Sequence, residues 1–342
     1  MIKIVKCVPN ISNGKNPEIY NAVANSVKKI DGVKLLHVHP GFSANRTVIT
    51  FVGTPDAVVD AAFLLIKKAK ELIDMRAQDG IHSRMGAADV CPLVPLAGVS
   101  MEECVKLARK LGKRVGDELN VWVYLYEFAA TRPKFKNLTF VRKGQYEHLK
   151  ERVGNPEWSP DFGPKNLDEK FGAIAIGARK VLLAYNINIE SKNIIAAREI
   201  ARNIRESGRI TKNPDGTKKR IPGIFKAVKA DAWIIPEYNH AQITMNLTDV
   251  ETTPVHLVFD EVVKQCAALG EKVTGSELIG LIPLKVLHDA GEFSFKKKGI
   301  TGDFSDDELI DEAVNFLKLD KFEKFNPRER ILENKIIACP TA

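Results

Sequence analysis

RTVITFVGTPDAVVDAAF (46–63) and HAQITMNLTDVETTPVHLVF (240–259) are one pattern written twice. Each opens with a β-rich run, 46–53 or 240–249, that reads as a strand. Each then passes through threonine and proline into an apolar run at helical spacing. Proline suits the first helical position, because its missing N–H has no intrahelical partner there, and the preceding threonine is a capping residue. The spacing predicts helices over 54–75 and 252–270.

Working outward from the first copy, IKIVKCV (2–8) reads as a strand, PEIYNAVANSVKKI (17–30) as a helix, and VKLLHVH (33–39) as a strand reaching 46–53 through a Pro-Gly turn. DVCPLVPLAG (89–98), the helix 100–119 and the strand 120–128 follow. Around the second copy, RKVLLAYNINI (179–189) is a strand, NIIAAREIARNIRESG (193–208) a helix, and IPGIFKAVKAD (221–231) and SELIGLIP (276–283) strands. YNIN (185–188) echoes PNIS (9–12). Both halves therefore read β-α-β-β-α-β. The expectation is an α/β (α+β) protein of two similar subdomains, each a mostly antiparallel sheet with its helices on one face. The open faces then pack together or leave a cleft, and ligand sites favour such junctions. The boundaries fall at 1–178 and 179–331, with a tail at 332–342. The irregular segment 150–178 reads as the linker, and 208–221 as a solvated hairpin or loop.

The composition, 44% apolar and 27% charged, is that of a soluble globular chain. There is no apolar run long enough to span a membrane and no secretory signal. Five scattered cysteines without a CxxC pair argue against a disulfide scaffold or a cysteine-built zinc site, and point to a reducing cytoplasm. The net charge of +8 favours anionic partners. No aromatic-rich basic motif or helix-turn-helix signal supports nucleic acid, and much of the charge sits beside glutamate on helix faces.

GAIAIGARK (172–180) lacks the Lys-Ser/Thr pair a phosphate loop needs, and reads as a small-residue approach to the strand at 179–189. His37 and His39 share one face of a strand but have no evident third ligand, so no metal is expected. Cys91 and Cys104 fall in apolar patterns and read as buried thiols. His82, in DGIHSRMGAADVCP (79–92), lies outside every periodic run and is flanked by Gly80 and Gly86. It is the candidate proton acceptor, with an ordinary loop histidine as the alternative.

CVPNISNGKN (7–16), GFSANRTVITFVG (41–53), LIDMRAQDGIHSRMGAADVCPLVP (72–95), WSPDFGP (158–164), GARKVLLAYNINI (177–189) and GSELIGLIPLKVL (275–287) together resemble the glutamate formiminotransferases, nearly end to end. The resemblance implies sheets facing each other across a tunnel that binds tetrahydrofolate as co-substrate, a homodimer, and transfer of a formimino group from N-formimino-L-glutamate in histidine breakdown. It leaves no room for a cyclodeaminase half, so a separate enzyme would act downstream. It makes His82 catalytic and GPKNLDEKFG (163–172) the folate segment, with Gly163, Pro164, Lys165, Lys170, Phe171 and Gly172 as candidates. Arg46 and Arg84 are candidate carboxylate partners. Asn10, Asn45, Asn186 and Asn188 are candidates for ring edges, or else self-bonded turn asparagines.

His39 stands where the animal enzymes carry an aspartate expected to assist near the reacting centre. Phe171 replaces a tryptophan, and Asn13 a glutamate. These departures keep two alternatives open. One is a folate-dependent transferase or isomerase acting on formylglutamate, formiminoglycine or 5-formyltetrahydrofolate. The other is a folate-binding protein without transfer activity. A nucleic-acid-binding protein is the weakest alternative.

Overall fold

A computed structural model describes residues 3–236 and 239–337. It falls into two compact units that meet in sequence at Lys180 and Val181. Ile2 of the first expected strand, Cys339 and the tail beyond residue 337 lie outside the described residues.

The first unit runs β1 (Ile4–Cys7), β2 (Asn10–Ile11), α1 (Pro17–Asn25), β3 (Val33–Gly41), β4 (Arg46–Gly53), α2 (Pro55–Leu72), β5 (Ala88–Ala97), α3 (Met101–Leu119), β6 (Trp122–Glu127), a single turn α4 (Leu138–Val141) and β7 (Ala173–Ala178). Local chemistry sets the helix starts. The Asn16 side chain accepts from the backbone N–H of Glu18 and Ile19 ahead of α1. Ser100 and Glu103 form a reciprocal capping box at α3. Thr54 and Pro55 open α2 as the pattern predicts, although the threonine hydroxyl makes no capping bond.

In the sheet, β3 pairs with β4, and β4 with both β1 and β2, which form one line broken at Val8 and Pro9. That line pairs in turn with β5. All these pairings are antiparallel. β5 then pairs in parallel with β7, and β7 in parallel with β6.

β7 overturns two expectations. Residues 150–178 are not a linker, and GAIAIGA is not an approach to the next strand but an interior strand of this sheet. The physical reason lies in its surroundings. Ile174 and Ile176 join the core beneath α2 and α3, while Ala173 and Ala175 join a second core on the opposite face. A strand buried on both sides reads as a continuous apolar run and loses the alternation that marks a half-exposed one. The second core comes from 128–162, where Phe135, Val141 and Leu149 pack on Trp122, Tyr124 and Tyr126. The Phe140 and Trp158 rings stack with centroids 4.8 Å apart.

The second unit runs β8 (Leu183–Ile189), α5 (Ile194–Ile204), β9 (Arg209–Lys212), β10 (Lys218–Ile221), β11 (Val228–Ile235), β12 (His240–Leu247), α6 (Val255–Ala268), β13 (Val273–Ile279), α7 (Leu284–Lys297), α8 (Asp306–Leu317), and the short α9 (Pro327–Arg330) and α10 (Leu332–Ile337). Its sheet has the order β11-β12-β8-β13, antiparallel throughout. With β1 and β2 counted as one strand, the first sheet contains the same order in β3-β4-β1/β2-β5. The two halves thus share one strand topology, as their sequence order predicts. β9 and β10 form a separate exposed hairpin. The helices α5 to α8 bury one face of the sheet, with Ile187, Ile200, Phe259, Leu287 and Ala313 in a common core. Each fully buried aliphatic or aromatic side chain contributes roughly 1.5–3 kcal/mol of transfer free energy. Among the described residues no helix is long and apolar enough to cross a membrane.

Candidate active site

The chain between α2 and β5 carries His82, and the tip between β3 and β4 pins it. Ile81 N–H donates to the Ser43 carbonyl at 3.2 Å. Asn45 Nδ2 donates to the Asp79 carbonyl at 2.6 Å, and Gln78 Nε2 to the Asn45 carbonyl at 3.0 Å. Asn45 Oδ1 accepts from Gly14 N–H at 3.0 Å. Asn45 has φ +44°, a left-handed turn that asparagine tolerates. It therefore acts as the local clamp, one of the two readings its position left open.

Gly80 lets this contact form, since a Cβ there would lie 2.5 Å from the Ala44 carbonyl oxygen. Gly80→Ala is expected to push the two loops apart and cost about 1–3 kcal/mol, measured by denaturant unfolding. Stability equal to the wild type would show that the loops are not tightly docked.

The far end of the loop is tied to the 163–172 segment. Gly86 bridges Gly172, Ala87 N–H donates to the Phe171 carbonyl at 2.8 Å, and Ala173 N–H donates to the Met85 carbonyl at 2.9 Å. Phe171 is fully buried in the core beneath the helices. Lys170 Nζ donates to the Glu71 carbonyl at 2.9 Å, and Lys165 is exposed. Gly163, with φ +114°, and Pro164 lie beside β6, where Trp122 Nε1 donates to the Pro164 carbonyl at 2.9 Å.

Arg84 spends its donors on the protein. Nε bonds Gln78 Oε1 at 2.7 Å and Nη2 the Gln78 carbonyl at 3.2 Å. The two Nη atoms reach the Glu147 carboxylate at 2.9 and 2.6 Å, and Nη1 also reaches Gln145 Oε1 at 3.5 Å. Its chemistry here is to bind the His82 loop to residues 145–147.

Behind the loop lies a charged group that sequence reasoning missed. Asp89, fully buried at the start of β5, accepts from Arg46 Nη1 at 2.5 Å, from Arg142 through both Nε and Nη2, and from Met85 N–H at 3.0 Å. Arg46 Nε donates to Asn10 Oδ1 at 3.0 Å, which joins two of the expected residues. Burial pushes the Asp89 carboxyl up, but the charges of Arg142 and Arg46 and their hydrogen bonds hold it at about 2. Burial lowers Arg46 to about 10, with Asp89 opposing. The group carries two positive charges against one negative. The signal was available, because a carboxylate entering an otherwise apolar buried strand must find cationic partners.

His82 sits in the field of this cluster. Its Nδ1 is 2.7 Å from the Ser83 carbonyl oxygen. A carbonyl can only accept, so Nδ1 carries the hydrogen and Nε2 the lone pair of the neutral ring. Burial first, then the Arg46 and Arg142 charges, push the imidazole down to about 3, against the opposing Ser83 bond and Asp89. The ring is thus neutral at physiological pH, the form a proton acceptor requires.

This shift has a consequence for stability. Between the ordinary value of 6.5 and about 3, the unfolded chain binds a proton that the folded chain does not. His82 therefore erodes stability as pH falls through that window. His82→Asn is expected to lose less stability than the wild type between pH 7 and about 4 in denaturant titrations. An unchanged acid profile would contradict the shift.

His39 lies on β3 with its ring 5.8 Å from that of His37. The pairings His39–Val48, Val48–Asn10 and Gly41–Arg46 put it on the sheet face that carries Asn10 and Arg46. Asn186 and Asn188 lie on β8 of the second unit. Cys91 and Cys104 are buried thiols.

Residues 4–179 match the model for the formiminotransferase domain, N-terminal subdomain, and residues 184–337 the model for the formiminotransferase domain. The chain belongs to the formiminotransferase family. It is 46% identical over 333 residues to the formimidoyltransferase-cyclodeaminase of Gallus gallus, covering 97% of this chain and 60% of that protein. It is 41% identical over 300 residues to the glutamate formimidoyltransferase of Thermoplasma acidophilum, covering 87% and 94% of the two chains. The corresponding enzyme of Streptococcus pyogenes serotype M1 is 38% identical over 293 residues, with 86% and 93% covered. The chain thus spans about three fifths of the length of the Gallus gallus protein and nearly all of the two microbial ones.

Proposed function

We propose that the protein is a glutamate formimidoyltransferase that moves the formimino group of N-formimino-L-glutamate to N5 of tetrahydrofolate, with His82 as general base, in histidine degradation. The observation that carries the reading is the neutral His82 ring, with Nδ1–H committed to the Ser83 carbonyl and the lone pair on Nε2.

The chemistry balances without a further reactant. N5 attacks the formimino carbon and its proton passes to Nε2 of His82. The tetrahedral intermediate then expels the glutamate nitrogen, which takes a proton back from His82. A positioned base of this kind contributes typically about 10²–10⁴ in rate. Holding both substrates in near-attack geometry adds the proximity effect. A base held at about 3 is weak in the free protein. Burial and then the Arg46 and Arg142 charges depress it, so a substrate carboxylate near them offsets the charge part of the shift and raises His82.

In this reading Arg46 acts through its charge, Arg84 and Asn45 hold the loop, and Asn10 orients Arg46. The segment 163–172 contacts folate, and His39 lies near the reacting centre. Tetrahydrofolate is a co-substrate and no metal takes part. The enzyme works as a homodimer in the cytoplasm. The test is to supply purified protein with tetrahydrofolate and formiminoglutamate and follow 5-formiminotetrahydrofolate. Folate binding without turnover, and with no turnover of formylglutamate either, would sink the transferase reading in favour of a binding protein.

A further inference from the structure

Three aromatic side chains of β6, Trp122, Tyr124 and Tyr126, share one face of the first sheet and one core. Each carries a polar atom, and a buried polar atom of this kind normally has a partner. Two of them do. Trp122 Nε1 donates to the Pro164 carbonyl at 2.9 Å, and Tyr124 Oη to the Trp158 carbonyl at 2.7 Å. Tyr126, 2% exposed, makes no side-chain hydrogen bond among the described residues. Its ring lies over Gly177 of β7, where a Cβ would come within 2.7 Å of a ring carbon. Burial, the largest influence, pushes the phenol well above its ordinary value against the opposing Arg179 charge. The hydroxyl therefore stays protonated and can donate.

Two further donors are left over in the cluster behind the His82 loop. Arg46 places Nε on Asn10 and Nη1 on Asp89, and its Nη2 bonds nothing among the described residues. Arg142 places Nε and Nη2 on Asp89, and its Nη1 bonds nothing among them either. Both guanidiniums lean on one carboxylate, so the group keeps an excess positive charge. Such a charge is costly in a largely buried group unless an anion balances it. Tyr126 belongs to this neighbourhood. The Arg142 charge acts on the Tyr126 phenol, and that phenol acts on Arg46. The same two guanidinium charges act on His82.

We propose that Tyr126 Oη, together with Arg46 Nη2 and Arg142 Nη1, binds the α-carboxylate of the formimino donor, so that Tyr126 is a specificity-determining residue for that substrate. Charge decides the class of ligand group. A carboxylate balances the excess positive charge, whereas the cationic amidinium end of the donor is repelled by it. Covalent structure decides which carboxylate. The α-carboxylate carbon is two bonds from the nitrogen that bears the formimino group, so anchoring it beside His82 keeps the reacting carbon near the ring. The phenol has a distinct part in this arrangement. It adds a directed hydrogen bond without adding charge, so it does not depress His82 further as a third cation would. The assignment rests on the glutamate formimidoyltransferase reading above.

Two phenylalanine variants of the full chain test it. Tyr126→Phe removes only a hydroxyl that bonds nothing in the fold. It is expected to raise KM for formiminoglutamate about tenfold to a hundredfold, the range for a hydrogen bond to a charged group. The kcat and the KM for tetrahydrofolate are expected to stay as in the wild type, with no loss in the unfolding midpoint. Tyr124→Phe removes a hydroxyl committed to the Trp158 carbonyl and is expected to do the reverse, lowering the midpoint and sparing the kinetic constants. N-formimino-4-aminobutyrate, which lacks the α-carboxylate, is expected to compete equally well against the wild type and Tyr126→Phe. Weaker competition in the variant assigns the hydroxyl to another part of the donor and overturns the inference. A wild-type KM for formiminoglutamate in Tyr126→Phe overturns it too and leaves the proposed activity standing. So does a rise in KM for tetrahydrofolate instead, or a fall in kcat alone, which would place the hydroxyl on the folate or on the reacting group. If the wild-type protein does not turn over formiminoglutamate, the transferase reading itself falls and takes this assignment with it.

Discussion

His82→Asn lowers turnover of formiminoglutamate with tetrahydrofolate by about 10²–10⁴, while the affinity for tetrahydrofolate changes little. Asparagine is the informative replacement, because its Nδ2–H can still donate to the Ser83 carbonyl that now receives Nδ1–H of the ring. The loop therefore stays in place, and only the basic Nε2 is lost. The loop is also held independently of the ring, by Ile81 to Ser43 and Asn45 to Asp79 at one end and by the Gly86–Gly172 bridge at the other. A loss of kcat with KM little changed identifies a group that acts in the transition state and not in binding. Full activity in this variant would remove His82 from the mechanism. Loss of folate affinity in step with kcat would make it a binding residue instead.

The duplicated strand-to-helix pattern was legible because each copy joins a β-rich run to a threonine-proline helix start, a signal carried by neighbours in sequence. β7 was not legible because Ala173 to Ala178 are buried on both faces and carry no polar residue to mark either one. His82 stood out because it broke periodicity between two glycines. Its partners did not, because their roles depend on contacts distant in sequence. Arg46 and Asp89 are 43 positions apart, and Arg142 a further 53. Arg84 looked like an anion ligand from its place beside His82, and only the position of Glu147 shows its donors committed. Asn45 and Asn186 carry the same side chain, and the sequence offered one pair of readings for both. Asn45 is spent on the Asp79 carbonyl and the Gly14 N–H, whereas Asn186 is unspent. That difference is three-dimensional and has no counterpart in local composition.

Asp89→Asn is expected to destabilise the protein by about 3–5 kcal/mol at neutral pH, the cost of removing one partner from a buried ion pair. The substitution keeps an oxygen for the Met85 N–H but strips the only negative charge that faces Arg46 and Arg142 in this group. Arg46 is 7% exposed, so its guanidinium cannot turn to water. The pH dependence carries its own signature. Asp89 is held at about 2 against an ordinary 3.8, so its contribution is fully present above the unfolded value and disappears as pH falls from 3.8 toward 2. The wild type therefore loses stability through that window, and the variant, which has no carboxyl to titrate, lacks that part of the slope. Denaturant unfolding of both proteins at pH 7 and near pH 3 measures the difference, which shrinks on going to acid. The same charge also raises the His82 pKa, so its removal makes the imidazole a still weaker base, and the residual folded enzyme is expected to turn over more slowly. Equal stability of variant and wild type at pH 7 would mean that the two arginines find other partners. The buried carboxylate would then not be what holds them behind the His82 loop.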